Sequence, residues 1–107
     1  MNPTDAEPQT FNSFAEFYPY YLGEHSNRTC RRLHFLGMSL ALICVAMVFA
    51  SGRLQYIGYA FVCAYGFAWI GHFGFEKNRP ATFKHPVYSF IGDLAMYRDV
   101  WRGRVKL

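Results

Sequence analysis

The residues of this chain best suited to chemistry are its four histidines and one glutamate placed among them. Imidazole and carboxylate groups suit iron(II) or zinc, and a site with three protein ligands leaves positions open for a substrate. His72 and Glu76 lie four residues apart, so on a helix they share one face. We therefore predict a metal site formed by His25, His34, His72 and His85. Glu76 is the predicted catalytic residue, either as the fourth ligand in place of His85 or as the group that orients His72.

The composition favours a membrane protein over a soluble domain. Hydrophobic residues make up 52% of the chain and charged residues 17%, whereas a soluble domain usually carries about a quarter. Residues 33–52 and 54–75 contain no Asp, Glu, Lys or Arg and show no polar stripe. Each segment matches the roughly 20 residues that a helix needs to cross a bilayer. We predict an all-α fold, an integral membrane hairpin of two transmembrane helices at about 33–52 and 54–75.

A hairpin of two spans would gather the histidines at one end. The start of the first span and the end of the second then share a membrane face, with His34 and His72 within about one helical turn of each other in depth. His25 precedes the first span and His85 follows the second. Taken singly, each has an ordinary interpretation as a headgroup-level or loop residue. The metal prediction depends on their convergence.

Amphipathic interfacial helices are predicted on both sides of the hairpin. Residues 1–10 are polar and acidic and are predicted to be a disordered tail, which leaves residues 11–107 as a single helical membrane domain. Ser13 and Glu16 form a capping-box pattern that predicts a helix start. The last helix follows Pro86, and its apolar residues form one predicted stripe: Val87, Phe90, Ile91, Leu94, Tyr97 and Trp101.

The basic residues predict the topology. Ten of the eleven lie outside the connection between the spans, and Arg53 is the exception. The positive-inside rule then places both termini of a multi-pass protein in the cytoplasm, which means the inner membrane if the chain is bacterial. The aromatic residues belong to the spans and the amphipathic segments, so we predict no nucleic-acid binding.

Some of these cations, and the glycines of the second span, suggest partners. Arginine binds carboxylates in bidentate fashion, so Arg28, Arg32 and Arg79, together with Arg31, are candidates for binding a lipid or fatty acid substrate. For most of these arginines, a role as headgroup-level charges that set the membrane topology is the better explanation. Four glycines allow close helix contacts in lipid and hence a homo-oligomer: Gly58, Gly66, Gly71 and Gly74.

Two runs, FYPYYLGEHSNRTCRRLHFLG and YGFAWIGHFGFEKNRPATFKHP, resemble the membrane family typified by the fungal 2-hydroxy fatty acid dioxygenase. The similarity covers about residues 11 to 103, and its matching features are His25 with Asn27, His34 with Gly37, and Gly71-His72 with Glu76, Arg79 and Pro80. The resemblance implies an iron(II)-dependent dioxygenase of the endoplasmic reticulum that shortens a 2-hydroxy fatty acid by one carbon during phytosphingosine breakdown. It also implies that His25, His34 and His72 are the iron ligands.

Two hypotheses about function follow. The chain is shorter than the fungal members and is similar to the short bacterial branch of the family, whose substrate need not be the same. The first hypothesis is a membrane-embedded iron(II)-dependent dioxygenase of 2-hydroxy fatty acids or a related lipid, with zinc as the other metal that suits the ligands. The second is a small non-catalytic membrane protein that binds lipid or partner helices and has a structural histidine cluster.

Overall fold

The computed structural model describes residues 10–107, and this part of the chain contains helices but no strands. The all-α prediction is confirmed. The predicted tail lies almost wholly outside the described residues. Within the described residues, the framework consists of four α-helices: α1 Phe14–Gly23, α2 Arg28–Ser51, α3 Gln55–Ile70 and α4 Pro86–Trp101. A π-helix, Gly71–Glu76, directly follows α3, and a 3₁₀ turn, Ala81–Phe83, precedes α4.

Side-chain caps begin the first two helices. The Glu16 amide donates to Ser13 Oγ at 3.2 Å, as in a capping box. The Glu16 carboxylate accepts from the amide of Asn12, one residue before the cap, at 2.9 Å, and the helix begins after Ser13 as predicted. At the start of α2, Asn27 Oδ1 accepts from the Cys30 amide at 3.0 Å. Gly52 ends α2 with a φ of 72°, a conformation that glycine adopts without strain.

Helices α2 and α3 form the predicted antiparallel hairpin, and they approach each other closely at Gly37. A Cβ atom added there would lie 2.6 Å from the Cys63 carbonyl oxygen and 2.9 Å from Phe67 Cβ. Among the glycines of the second segment, Gly71 packs against Cys30, whereas an added Cβ at the other three would meet nothing within 4 Å: Gly58, Gly66 and Gly74. Close approach within the chain therefore depends on Gly37 and Gly71.

One helix of the described part of the chain, α2, is long and apolar enough to cross a membrane. Only 17% of its most apolar window is buried inside the protein, so it is not a core helix enclosed by other elements. Helix α3 has 16 residues before the backbone becomes π-helical at Gly71. The two-span hairpin is therefore not confirmed, because the second apolar segment is not one continuous α-helix.

The apolar stripe of α4 points away from the rest of the protein. Val87 and Trp101 are both 70% exposed, and the other large apolar residues of that stripe are exposed or half-buried. The buried face consists of small and polar residues together with one methionine: Ser89, Gly92, Ala95, Met96 and Asp99. Gly92 lies against the Tyr21 ring, where an added Cβ would approach a ring carbon to 2.8 Å. Helix α4 therefore buries mainly small and polar residues and exposes its apolar stripe.

Replacing Gly37 with alanine is expected to destabilise the hairpin. The new methyl group would meet the Cys63 backbone carbonyl, which cannot rotate away, and overpacking of this kind costs about 1–3 kcal/mol. Gly66→Ala is the matched control, since nothing lies within 4 Å of its added Cβ. Thermal unfolding in detergent, followed by circular dichroism, should give a lower midpoint for Gly37→Ala alone. Equal midpoints for both variants would contradict the close approach at Gly37.

Candidate metal centre

Three histidines from three different segments meet in the interior. His25 comes from the turn between α1 and α2, His34 from the second turn of α2, and His72 from the π-helix. His25 Nε2 lies 3.0 Å from His34 Nε2 and 2.9 Å from His72 Nε2. One nitrogen from each ring lies within 4.8 Å of the other two, and the side chains are only 1%, 8% and 2% exposed, in chain order. We call these three residues the histidine triad.

The opposite ring nitrogens of His25 and His34 are held by the backbone. His25 Nδ1 lies 2.7 Å from the Tyr21 carbonyl oxygen, and His34 Nδ1 lies 2.9 Å from the Cys30 carbonyl oxygen. Carbonyl oxygens only accept hydrogen bonds, so each Nδ1 carries the proton and donates it. Each Nε2 is then left with a lone pair, which is the form that binds a metal.

Asn78 holds the third histidine in the same tautomer. Its Oδ1 lies 2.6 Å from His72 Nδ1, and its Nδ2 donates to the Glu24 carbonyl oxygen at 3.0 Å and to Glu24 Oε2 at 2.6 Å. Because the Nδ2 group is committed to two acceptors on Glu24, Oδ1 must face the imidazole and accept from it. All three Nε2 lone pairs therefore face one another with no hydrogen between them.

This arrangement fits a cation. Two nitrogens bound at about 2.0–2.1 Å and at right angles lie roughly 2.9 Å apart, which matches the Nε2 separations from His25. Burial and the neighbouring His34 and His72 hold the pKa of His25 well below its usual range, so this imidazole is neutral, as a metal ligand must be. Among the described residues, no fourth His, Cys, Asp or Glu belongs to the group, which leaves positions open.

Two of the predicted site residues lie outside the triad. Glu76 Oε1 accepts from the Ser26 hydroxyl at 2.7 Å, and its Oε2 accepts from the Asn27 amide at 2.6 Å. It therefore ties the end of the π-helix to the start of α2. His85 begins α4 and packs against the rings of Phe11 and Phe17, with centroid separations of 5.2 and 5.5 Å. The structure brings neither residue into the group of converging nitrogens.

The predicted arginines differ in their surroundings. Arg28, Arg32 and Arg79 are exposed. Arg31 is half-buried and lines a cavity beside His34, and its Nε is buried without a hydrogen-bond partner. Binding of a substrate carboxylate by any of them stays a prediction, and Arg31 has the surroundings that fit it best.

Helix α4 contributes two residues that the sequence reasoning did not select. Ser89 and Asp93 line the cavity that the triad also lines. Asp93 accepts a hydrogen bond from the Tyr21 hydroxyl, and burial raises its pKa to about 6. The sequence does not single them out, because the apolar stripe is the most prominent pattern of α4. Their spacing of four residues, opposite that stripe, is the signal that could have found them.

Comparison with known proteins agrees with this site. The model of the family described as 2-hydroxy-palmitic acid dioxygenase Mpo1-like matches residues 11–105, which include every residue described above as part of the site. The chain belongs to this Mpo1-like family. No curated protein matches the chain, and neither does any solved structure. The family resemblance predicted from the two histidine-containing runs is thus confirmed.

In this Mpo1-like chain, Asn78→Ala is expected to weaken metal binding by about 10- to 100-fold, because the variant loses the acceptor that fixes the tautomer of His72. The affinity for cobalt(II), read from its visible absorption, measures the effect. The control is Lys84→Ala, which removes an exposed side chain from the loop before α4. If Asn78→Ala binds cobalt(II) as tightly as Lys84→Ala, the asparagine does not orient a ligand.

Asp93→Asn is expected to stabilise the metal-free protein at neutral pH. The folded-state pKa of Asp93 lies above its unfolded value, so ionising this group costs stability as the pH rises from about 4 to about 6. Two pKa units correspond to at most about 3 kcal/mol. Asparagine carries no charge, and its amide oxygen still accepts from Tyr21. Unfolding midpoints of the two proteins should be similar at pH 4 and diverge towards pH 7; a constant difference would refute the raised pKa.

Proposed function

We propose that this chain is a membrane-embedded, iron(II)-dependent dioxygenase that acts on 2-hydroxy fatty acids or a related lipid, in fatty acid α-oxidation. The observation that carries the proposal is the histidine triad, in which three Nε2 lone pairs face one another while every Nδ1 donates elsewhere. The description of the family supplies the reaction class and the 2-hydroxy acid.

His25, His34 and His72 would hold the metal. An iron(II) ion there would supply a redox-active Lewis acid with positions open to a 2-hydroxy acid and to dioxygen. Zinc suits the same ligands, and the choice of iron follows from the family's dioxygenase description.

The residues around the triad would position its rings and exclude water. The Tyr21 ring stacks on the His25 ring with a centroid separation of 4.1 Å and covers one face of it. Asn78 fixes the orientation of His72, and the Glu76 carboxylate holds the π-helix against the turn that carries His25. In this proposal Glu76 is a positioning residue, and neither it nor His85 is a ligand.

The exposed apolar surface supports an integral membrane protein with two spans. Large apolar side chains are exposed along both arms of the hairpin, including Ile43 at 58%, Phe49 at 86% and Val62 at 71%. A lipid solvent makes such a surface stable, whereas water does not. With the π-helix as its continuation, the second arm reaches the level of His34, and the basic residues then place both termini in the cytoplasm.

A second copy of the chain could pack against α3. Two glycines of α3, Gly58 and Gly66, and Gly74 of the π-helix have nothing within 4 Å of an added Cβ, which leaves room for another helix. A homo-oligomer therefore remains part of the proposal as a partner, together with the lipid substrate and the membrane.

The alternative is a non-catalytic membrane protein in which the triad holds a structural metal. The observation that favours it is that the three histidines tie together three separate segments, as structural metals do. If the metal is structural, removing it should unfold the protein. If the protein is an enzyme, removing the metal should abolish activity and leave the protein folded. The three-ligand count favours the catalytic function, because structural zinc sites almost always have four protein ligands.

Metal content of the anaerobically purified protein tests the proposal. His34→Ala and His72→Ala are expected to retain less than about a tenth of the iron of the unsubstituted protein, because each loses one of three ligands. His85→Ala is the matched control, since it removes a histidine outside the triad and should retain its iron. Oxygen uptake with 2-hydroxypalmitate, compared with palmitate, should follow the iron content.

Two results would overturn the proposal. One is equal iron content in all four proteins, which would place the metal elsewhere. The other is iron-loaded protein that consumes no oxygen with any 2-hydroxy acid, which would favour the non-catalytic alternative. A large fall in the unfolding midpoint on chelation would then identify the metal as structural.

A further inference from the structure

The cavity of the histidine triad opens beside a second cavity between α2 and α4. The two share His34 and Asp93 as lining residues. Beyond those two residues, the second cavity is bordered mainly by apolar side chains, here called the α2–α4 groove: Phe35, Met38, Met96, Tyr97 and Val100. The chamber that the triad lines thus borders an apolar groove.

Two buried donors border these cavities and have no partner in the protein. Ser89 is 1% exposed, and its hydroxyl makes no hydrogen bond, although serine in a helix commonly bonds to the carbonyl four residues earlier. Ser89 lines the chamber of the triad, and Arg31, whose Nε is also unpartnered, lines the groove. A buried donor without a partner destabilises the protein, and a ligand oxygen that accepted its hydrogen bond would remove that cost.

We propose that one amphiphile occupies both cavities, with its oxygen-bearing end at Ser89 and the triad and its apolar chain in the α2–α4 groove. Arg31, on the groove side of His34, binds the anionic oxygen of the same end. This inference rests on the proposed function and extends it, because it assigns each part of a 2-hydroxy acid to named residues of this chain.

The groove has a defined length. Asp93 and Val100 are seven residues apart on α4, which is roughly 10 Å along a helix. Tyr97, also on α4, links this wall to α2, since its hydroxyl lies 2.8 Å from Ser39 Oγ and its ring stacks on Phe35 at 5.0 Å. A long chain fills this length and continues past it towards the exposed apolar surface, whereas a short 2-hydroxy acid occupies the chamber alone.

Binding to the cobalt(II)-loaded protein in detergent tests the assignment, with 2-hydroxypalmitate and 2-hydroxybutyrate as probes and visible absorption as the signal. Met38→Trp fills the groove, and Ile43→Trp, on the exposed face of the same helix, is the matched control. Each methylene excluded from an apolar site weakens binding about fourfold. Met38→Trp is therefore expected to weaken the binding of 2-hydroxypalmitate at least tenfold and that of 2-hydroxybutyrate less than twofold. The control variant should bind both probes with unchanged affinity.

The polar end is tested by Ser89→Ala. Loss of one hydrogen bond to the ligand should weaken the binding of both probes by a similar factor, roughly five- to tenfold, because both carry the same oxygen atoms. Cobalt(II) binding itself should be unchanged, since Ser89 is not a ligand. The two variants thus give different signatures: one depends on chain length and the other does not.

The possible failures are distinguishable. Val100→Trp fills the groove from α4 and serves as a second variant. If Met38→Trp and Val100→Trp both weaken the binding of the two probes equally, or leave both unchanged, the acyl chain does not lie in the groove. That result overturns the inference. If Ser89→Ala leaves both affinities unchanged, the assignment of the polar end is overturned. If the unsubstituted protein binds no cobalt(II), or its spectrum does not respond to either acid, the proposed function fails and the inference fails with it.

Discussion

The three imidazoles of the triad can converge only because each has its one N–H engaged elsewhere. Lone pairs that face one another at 2.9–3.0 Å repel, so the surrounding fold must hold the rings in place. The acceptors that do this are two backbone carbonyls and the Asn78 amide. The cap of α2, the π-helix and the Glu76 contacts all serve to bring these acceptors to their positions.

The distribution of polarity in α4 follows from the same requirement. A helix that borders a chamber of imidazoles must present small or polar groups to it, and Ser89 and Asp93 do so, while Gly92 lies against the Tyr21 ring. Its aromatic and aliphatic residues are left on the outside, where α2 and α3 are also apolar. A water-soluble bundle has the opposite arrangement, so the reversal agrees with a lipid surrounding for the whole molecule.

The extent to which the sequence predicts this structure depends on the kind of interaction. Charge-free segments and capping residues predict the helices, because backbone periodicity and local hydrogen bonds determine them. A hairpin then brings His34 and His72 to one level by geometry alone. The partners of Glu76 could not be predicted, because they depend on where the Ser26 turn folds back. Which face of α4 is buried also depends on packing, since an amphipathic stripe does not distinguish lipid from a protein core.

The origin of the three ligands constrains the order of events during biogenesis. His25 and His34 lie close in the sequence and become available early, but His72 belongs to the returning arm of the hairpin. A nascent chain whose second arm has not yet folded back offers two imidazoles, which hold a divalent ion weakly. If the triad binds a metal as proposed, capture of the ion would follow closure of the hairpin. The fold would then postpone metallation until the residues around the triad already enclose the ion.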